Sequence, residues 1–166
     1  MSTKTIIIGS TIFLAALIGV SVLLTTGQKP APETVAYLAT SSDKPIAETP
    51  DSLFDFGEIK VSQMKVKEFV LKNTGTKPLQ ILNINSSCGC TAGQIIYNNS
   101  TTKEYGMHAQ SGYLMDIAPG TQALIKVIYR PFQMPVYGAV EREVYVTTND
   151  PAREKLIFAV KAYVRQ

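Results

Sequence analysis

The chain is predicted to be an all-β antiparallel β-sandwich of about seven strands, preceded by one N-terminal transmembrane helix. Two observations predict this fold class. The first is a series of short β-rich segments separated by turn residues such as Asn73-Thr-Gly75 and Pro119-Gly120. The second is an apolar segment over residues 5–28 that carries no charge. No later segment shows the 3.6-residue period of an amphipathic helix, so strands and loops are predicted for the rest.

The N-terminal apolar segment is long enough to span a membrane. Residues 5–24 are its most apolar part, and about 20 helical residues cross the hydrocarbon core of a bilayer. The apolar part of a cleaved signal sequence is shorter, about 7–15 residues, so an uncleaved anchor over residues 1–28 is favoured and a cleaved signal is the alternative. Lys4 precedes the run, which predicts a single-pass cell-membrane protein with its N-terminus in the cytoplasm and its domain outside.

Residues 29–52 and 53–166 are predicted to be a flexible linker and a single domain. The linker is rich in Pro, Ser, Thr and acidic residues, which is typical of a tether. The domain has scattered charges with neither a basic stripe nor an aromatic platform, so nucleic acid is not a predicted partner. It has no glycine-rich phosphate loop, nucleophile elbow or HExxH motif. Nucleotide binding and enzyme activity are therefore not predicted.

Six segments of the domain have the composition of β-strands. They are Phe54–Lys60, Met64–Lys72, Leu79–Asn85, Gln122–Arg130, Val140–Thr147 and Lys155–Val164. Apolar residues alternate in several of them, which predicts one buried and one solvated face. In the second segment the apolar phase slips from Met64 and Val66 to Phe69 and Leu71, which predicts a bulge.

The domain contains an ordered set of motifs, which are Phe54-Asp-Phe-Gly57, Phe69-Val-Leu-Lys-Asn-Thr-Gly75, Pro78-Leu-Gln-Ile81, Ser87-Cys-Gly-Cys-Thr91, Ile117-Ala-Pro-Gly120 and Thr148-Asn-Asp-Pro151. This ordered set resembles the bacterial DUF1573 family, a domain of unknown function. The resemblance covers nearly all of residues 53–164. It implies an extracytoplasmic Ig-like sandwich of the ASH and HYDIN type with no known enzyme activity, and it specifies no ligand.

The sequence departs from that family between the Cys-Gly-Cys motif and the Pro-Gly turn. Such domains usually connect the two motifs in a few residues, whereas here residues 92–116 intervene. Because a loop of that length in a compact domain is usually functional or disordered, a functional or disordered loop is predicted there. The loop contains the only histidine of the chain, His108, next to Met107.

The Cys-Gly-Cys motif is the one place where the residues suggest chemistry. Three interpretations of Cys88 and Cys90 stay open. The two residues form a structural corner, either disulfide-bonded or packed as small apolar groups, or they form a redox-active disulfide. In the third interpretation they are two ligands of a metal site. The metal site would add His108 and either Met107 or Met134. Two thiolates, an imidazole and a thioether are a soft set that suits copper, particularly Cu(I), or zinc without the methionine.

Two functions follow from these alternatives. The first is a membrane-anchored, extracytoplasmic binding or structural module whose partner is another protein of the cell envelope. The second is a copper or zinc protein that uses Cys88, Cys90 and His108 with Met107 or Met134. A third class, thiol–disulfide exchange, lacks the helix N-terminus that usually lowers the pKa of a reactive thiol.

Overall fold

A computed structural model of the chain describes residues 3–25, 33–110 and 112–166. Contacts divide the chain into two compact units, residues 1–32 and residues 33–166. The first unit contains helix α1 (Thr3–Thr25), and the second contains all the strands.

Helix α1 contains the predicted anchor over residues 5–24. Its described apolar side chains, such as Ile12 and Phe13, are exposed. Within the described residues, no helix combines the length and the apolarity needed to cross a membrane. The anchor is therefore not shown and stays a prediction. Residues 1–2 and 26–28 of the predicted segment, and residues 29–32 of the predicted linker, lie outside the described residues.

Ten strands in the described part of the second unit form two five-stranded sheets. They are β1 (Ala47–Glu48), β2 (Leu53–Lys60), β3 (Lys65–Asn73), β4 (Leu79–Ser86), β5 (Thr91–Tyr97), β6 (Ser100–Thr101), β7 (Met115–Ile117), β8 (Gln122–Tyr129), β9 (Gly138–Thr148) and β10 (Lys155–Arg165). The first sheet has the order β1-β3-β8-β5-β6, and the second has the order β2-β10-β9-β4-β7. The β2–β10 pair is parallel, and the other pairs are antiparallel.

The predicted all-β sandwich is confirmed, with more strands than the seven expected and with one mixed sheet. The six predicted strands are present within about two residues at each end. Strands β1, β6 and β7 have only two or three residues, which is too short to show alternation. Strand β5 starts with three buried small residues, Thr91, Ala92 and Gly93, so its sequence has no period-2 pattern.

The core lies between the two sheets. Phe69 on β3 and Phe158 on β10 face each other with ring centroids 5.4 Å apart. Gly93 lies under the second sheet, because a Cβ there would be 2.6 Å from a side-chain carbon of Val144 and 2.8 Å from one of Ile84. Each fully buried large side chain contributes about 1.5–3 kcal/mol to folding, so the shared interior holds the sheets together.

The bulge predicted in the second strand is wrong. Strand β3 pairs with β8 without a register shift from Lys65 to Lys72. Met64 and Val66 are exposed, and Lys67 occupies the inward position before Phe69. The ammonium of Lys67 lies 4.4 Å from the centroid of the Phe54 ring. A lysine can cover an aromatic ring with its ammonium group, so Lys67 can occupy an inward position. The alternation of apolar residues along β3 is therefore interrupted without an inserted residue.

The exposed edges of the two sheets are short or irregular. Three of the four edge strands, β1, β6 and β7, have two or three residues. The fourth, β2, is bulged, because Lys161 pairs with Asp55 and Tyr163 pairs with Glu58, which leaves one extra residue on β2. Short, charged and bulged edges discourage the addition of another strand.

The folded domain begins before Leu53, which is the residue that the sequence predicts to be the first after the linker. A strap formed by residues 33–47 crosses the sandwich and ends in β1. The backbone N–H of Val35 donates to Gln80 (2.8 Å), and the backbone N–H of Ala47 donates to the buried carboxylate of Asp150 (2.8 Å). The guanidinium of Arg153 donates to the carbonyl of Ala47. Residues 33–52 of the predicted linker are therefore part of the folded unit.

The predicted loop over residues 92–116 contains β-structure at both of its ends. It contains most of β5, which pairs with β8 in the middle of the first sheet, together with β6 and part of β7. Tyr105 forms a bridge to Gly93, with both backbone hydrogen bonds 2.9 Å long. The extra length thus adds a strand and a tethered segment to the sandwich.

Replacing Gly75 by Ala tests the close contact between the strap and the turn after β3. A Cβ at Gly75 would lie 2.3 Å from the carbonyl oxygen of Lys44 and 2.6 Å from the amide nitrogen of Ile46. Because backbone atoms must move to relieve this clash, the free energy of unfolding should fall by about 1–3 kcal/mol in urea denaturation of the full chain.

Gly106→Ala is the matched control, since a Cβ at Gly106 meets no atom within 4 Å. It should change the free energy of unfolding by less than about 1 kcal/mol. Equal denaturation midpoints for the two variants would contradict the packing of the strap.

Candidate functional site

The Cys-Gly-Cys corner, residues 87–90, joins β4 to β5 and carries the chain from the second sheet to the first. Ser86 precedes the corner, and its hydroxyl lies 2.6 Å from the carbonyl oxygen of Thr91 and 3.0 Å from that of Cys88. This side-chain contact holds the two ends of the corner together.

Backbone hydrogen bonds fix the corner to both sheets. The N–H of Ser87 donates to the carbonyl of Glu143 on β9, and the N–H of Glu143 donates to the hydroxyl of Ser87, both at 2.9 Å. On the other side, the N–H of Arg130 donates to the carbonyl of Cys90 at 2.8 Å. The corner is therefore held between the end of β8 and the middle of β9.

Cys88 and Cys90 form a disulfide, with their Cα atoms 5.3 Å apart. The two cysteine residues differ in exposure, because Cys90 is 1% exposed in the core whereas Cys88 is only partly buried. The hydroxyl oxygen of Thr91 lies 3.3 Å from the sulfur of Cys88 and 3.8 Å from that of Cys90. Since a disulfide sulfur carries no proton, the hydroxyl is the donor.

The structure brings one of the two predicted methionine ligands to the corner. Met134 lies over Gly89, with its sulfur 3.3 Å from the place that a Cβ on Gly89 would occupy. Met107 and His108 lie on a separate exposed turn, closed by a hydrogen bond from the N–H of Ala109 to the carbonyl of Gly106.

The predicted metal site is not assembled in the disulfide-bonded form. A metal is bound by thiolates, and both thiols are used in the disulfide. Over residues 3–25, 33–110 and 112–166, no three His, Cys, Asp or Glu side chains are grouped to hold a metal ion. Copper or zinc bound by Cys88, Cys90, His108 and Met107 or Met134 therefore stays a prediction, and it requires the reduced protein.

Two inward-facing polar residues near the corner were not predicted. Tyr129, the register partner of Thr91, is fully buried, and its hydroxyl has no hydrogen-bond partner among the described residues. Burial raises the pKa of Tyr129, and the charge of Arg142 opposes that rise. The guanidinium carbon of Arg142 lies 5.9 Å from the centroid of the Tyr129 ring.

Arg142 precedes Glu143, the residue that is bonded to the corner. Its Nε is buried without a partner, and no carboxylate of the described residues forms an ion pair with it. The alternation of β9 was the available signal, because Arg142 lies between the buried Val140 and Val144 and must share their face.

Arg130, at the end of β8, is paired with a carboxylate. Its guanidinium donates two hydrogen bonds to Glu104, at 2.7 Å and 2.9 Å. These bonds hold the pKa of Glu104 below its ordinary value. The ion pair neutralises Arg130 and ties the segment before Tyr105 to the corner.

An apolar surface adjoins the corner. We call it the end surface; it consists of Phe132, Met134, Val136 and Tyr137 in the β8–β9 connection and Tyr163 on β10, each 46–53% exposed. Tyr137 and Tyr163 line a common cleft with Arg165. Residues 131–137 of the connection contain no charged side chain.

A family model described as "Protein of unknown function (DUF1573)" matches residues 47–107. The match begins at β1 and includes the Cys-Gly-Cys corner, so the predicted resemblance is confirmed over this range. The Pro-Gly and Asn-Asp-Pro motifs lie beyond it. No curated protein matches the chain.

Solved structures resemble the domain in fold. A protein of unknown function from Porphyromonas gingivalis W83 has a TM-score of 0.57 and 16% identity, over 75% of this chain and 49% of that protein. The ASH/PapD-like domain 7 of human CEP192 has a TM-score of 0.46 and 10% identity, over 84% and 98%. The YadV chaperone has a TM-score of 0.42 and 13% identity, over 74% and 52%.

Likeness at these identities shows the fold alone. This chain spans about half the length of the Porphyromonas gingivalis protein. The geometry of the chain's own surface must therefore support any statement about its function.

Proposed function

Because residues 47–107 match a family model described only as a protein of unknown function, we propose a role from the chain's own surface. The domain is a protein-binding module that acts outside the cytoplasm and contacts its partner through the end surface. The observation that carries this proposal is the set of half-exposed apolar and aromatic side chains of the end surface, of which Met134 lies over Gly89 of the corner.

The composition of the end surface is that of an interface core. Phe, Tyr and Met are enriched at the centres of protein interfaces, whereas Lys, Asp and Glu are depleted there. The end surface contains one Phe, two Tyr and one Met and lacks all three charged types. Pro131 and Pro135 flank residues 132–134 and restrict the backbone, which lowers the entropy lost on binding.

The charges favour a protein over a lipid surface. A loop that docks on an anionic membrane combines apolar residues with free lysines or arginines. Here the cation at the start of the connection, Arg130, is neutralised by Glu104, and Arg165 beside the cleft pairs with Glu58. The partner is therefore a protein with an apolar surface of its own.

A photo-reactive amino acid at Phe132 tests the docking surface in intact cells. It should cross-link one reproducible protein partner, identified by mass spectrometry. With that partner purified, Phe132→Ser combined with Tyr137→Ser should weaken binding at least tenfold, because hot spots of an interface are buried aromatic anchors.

Ile157 is the matched control, since it is 44% exposed on the outer face of β10. The photo-reactive group at Ile157 should not capture the partner, and Ile157→Ser should leave its affinity unchanged. Equal capture at both positions, or cross-links to lipid alone, would contradict the proposal.

The proposed location rests on the disulfide and on the N-terminal segment. Disulfides persist outside the cytoplasm and are rare within it. The uncharged run over residues 5–24 precedes the domain and is proposed to direct it across the membrane, as an anchor or as a cleaved signal.

Protease added to cells without an outer barrier should degrade the domain, and the cell extract should contain oxidised Cys88 and Cys90. Ile12→Lys, which puts a charge in the middle of the run, should retain the domain inside, whereas Ile12→Leu should not. Reduced cysteines in a protease-protected wild-type domain would contradict this location. The mass of the mature N-terminus decides between anchor and signal.

Metal binding is a second candidate function, favoured by the position of Met134 over Gly89. In the reduced protein, two thiolates and this thioether form a soft ligand set for Cu(I). The reduced full chain should retain one equivalent of copper after anaerobic loading and dialysis. Met134→Leu should weaken retention, and Met64→Leu, on an exposed methionine away from Gly89, should not. No retained copper in the reduced wild type would exclude this candidate.

A further inference from the structure

We propose that Cys88–Cys90 is an exchangeable disulfide that takes two electrons from a dithiol on a peptide or small molecule, with Cys88 as the attacked sulfur. The proposal does not rest on the protein partner proposed above. It rests on the unequal exposure of the two cysteines, on the size of the closed ring, and on unused hydrogen-bond donors near the corner.

The exposure of the two cysteines gives the direction of attack. Cys88 is partly buried, while Cys90 is 1% exposed and belongs to the core. An incoming thiolate therefore reaches the sulfur of Cys88 and leaves the sulfur of Cys90 as the leaving group. Exchange depends on which sulfur is accessible and on how well the leaving thiolate is stabilised.

The ring that the disulfide closes is among the shortest that a chain can form. Cys88 and Cys90 are two positions apart. Because the stabilisation from loop closure grows with the length of the closed loop, opening this very short ring frees little conformational entropy in the unfolded chain. The hydrogen bonds between Ser87 and Glu143, and the bond that the carbonyl of Cys90 accepts from the N–H of Arg130, also hold the corner independently of the sulfurs.

The surroundings of the corner suit a leaving thiolate. The Thr91 hydroxyl lies within 3.8 Å of both sulfurs. Tyr129, opposite Thr91 in register, has a buried hydroxyl with no hydrogen-bond partner among the described residues. The Nε of Arg142 is likewise buried without a partner there, while its Nη1 donates to the carbonyl of Glu141 at 2.9 Å. Hydroxyl donors and cations stabilise a thiolate. In this proposal the Thr91 hydroxyl, with Tyr129 and Arg142 on the strands bonded to the corner, takes the role of the helix N-terminus that is usual in thiol–disulfide enzymes.

The exchange balances in two steps. A thiolate of the dithiol attacks the sulfur of Cys88, the Cys88–Cys90 bond breaks, and its electron pair goes to the sulfur of Cys90, which then takes a proton. The second thiol of the substrate loses its proton and attacks the substrate sulfur of the mixed disulfide, which releases Cys88 as a thiolate. The dithiol is oxidised to a disulfide, and the protein disulfide is reduced to two thiols.

Two single variants of the full chain test the direction of attack. Cys90→Ser keeps the accessible Cys88, and Cys88→Ser keeps the buried Cys90. With each variant folded by circular dichroism, oxidised glutathione should form a mixed disulfide with Cys88 at least tenfold faster than with Cys90. Equal rates, or faster reaction at Cys90, would overturn the assignment of Cys88.

The native wild type tests the exchange itself. Incubation with dithiothreitol, without denaturant, should produce a mass increase of two hydrogens while the circular dichroism spectrum stays native. If the disulfide is reduced only in denaturant, it is structural and the proposal fails.

Arg142→Met tests whether the charge of Arg142 stabilises the leaving thiolate, since methionine keeps an apolar side chain and removes the cation. Reduction by dithiothreitol should become about tenfold slower. Lys161→Met removes an exposed cation from the neighbouring strand and should leave the rate unchanged. A rate for Arg142→Met equal to that of the wild type, in a folded protein, would overturn thiolate stabilisation by Arg142.

Discussion

The crossing of the chain from one sheet to the other between β4 and β5 is the constraint on which the rest of the domain depends. Four residues make this crossing, and they are bonded to β9 on one side and to the end of β8 on the other. A displacement of the corner would shift both sheets relative to their common core. The disulfide, the covering Met134 and the inward Arg142 all lie at or next to this crossing, so structure and chemistry share one location.

Much of the fold could be predicted from the sequence because most of its long strands alternate in polarity. The strands that were not predicted lack this alternation for physical reasons. Strands β1, β6 and β7 are too short to show it, and β5 is lined by small buried residues around Gly93. The wrongly predicted bulge has a similar origin. Lys67 takes an inward position by covering the Phe54 ring, which mimics a shift of phase.

The candidate site was predictable only in part. The Cys-Gly-Cys spacing identified the corner, and the disulfide was one of the alternatives that the spacing left open. The approach of Met134 to Gly89 joins residues more than 40 positions apart, and no local pattern encodes it. The inward position of Arg142 could be predicted from the alternation of β9. That no carboxylate of the described residues pairs with it is shown only by the three-dimensional arrangement.

The strap over residues 33–47 has a mechanical consequence. Force applied to the chain on the N-terminal side of Glu33 enters the sandwich through the strap. Its first links are side-chain contacts with Gln80 and Asn149, and the two-residue ladder of β1 comes last. Between these ends, single contacts such as the bonds from the N–H groups of Thr76 and Thr74 to the carbonyls of Lys44 and Ile46 follow one another along the strap, whereas the pairing of β9 with β10 extends over ten residue pairs. The strap would therefore lengthen under load before the core is strained and would act as an extensible element in series with the domain.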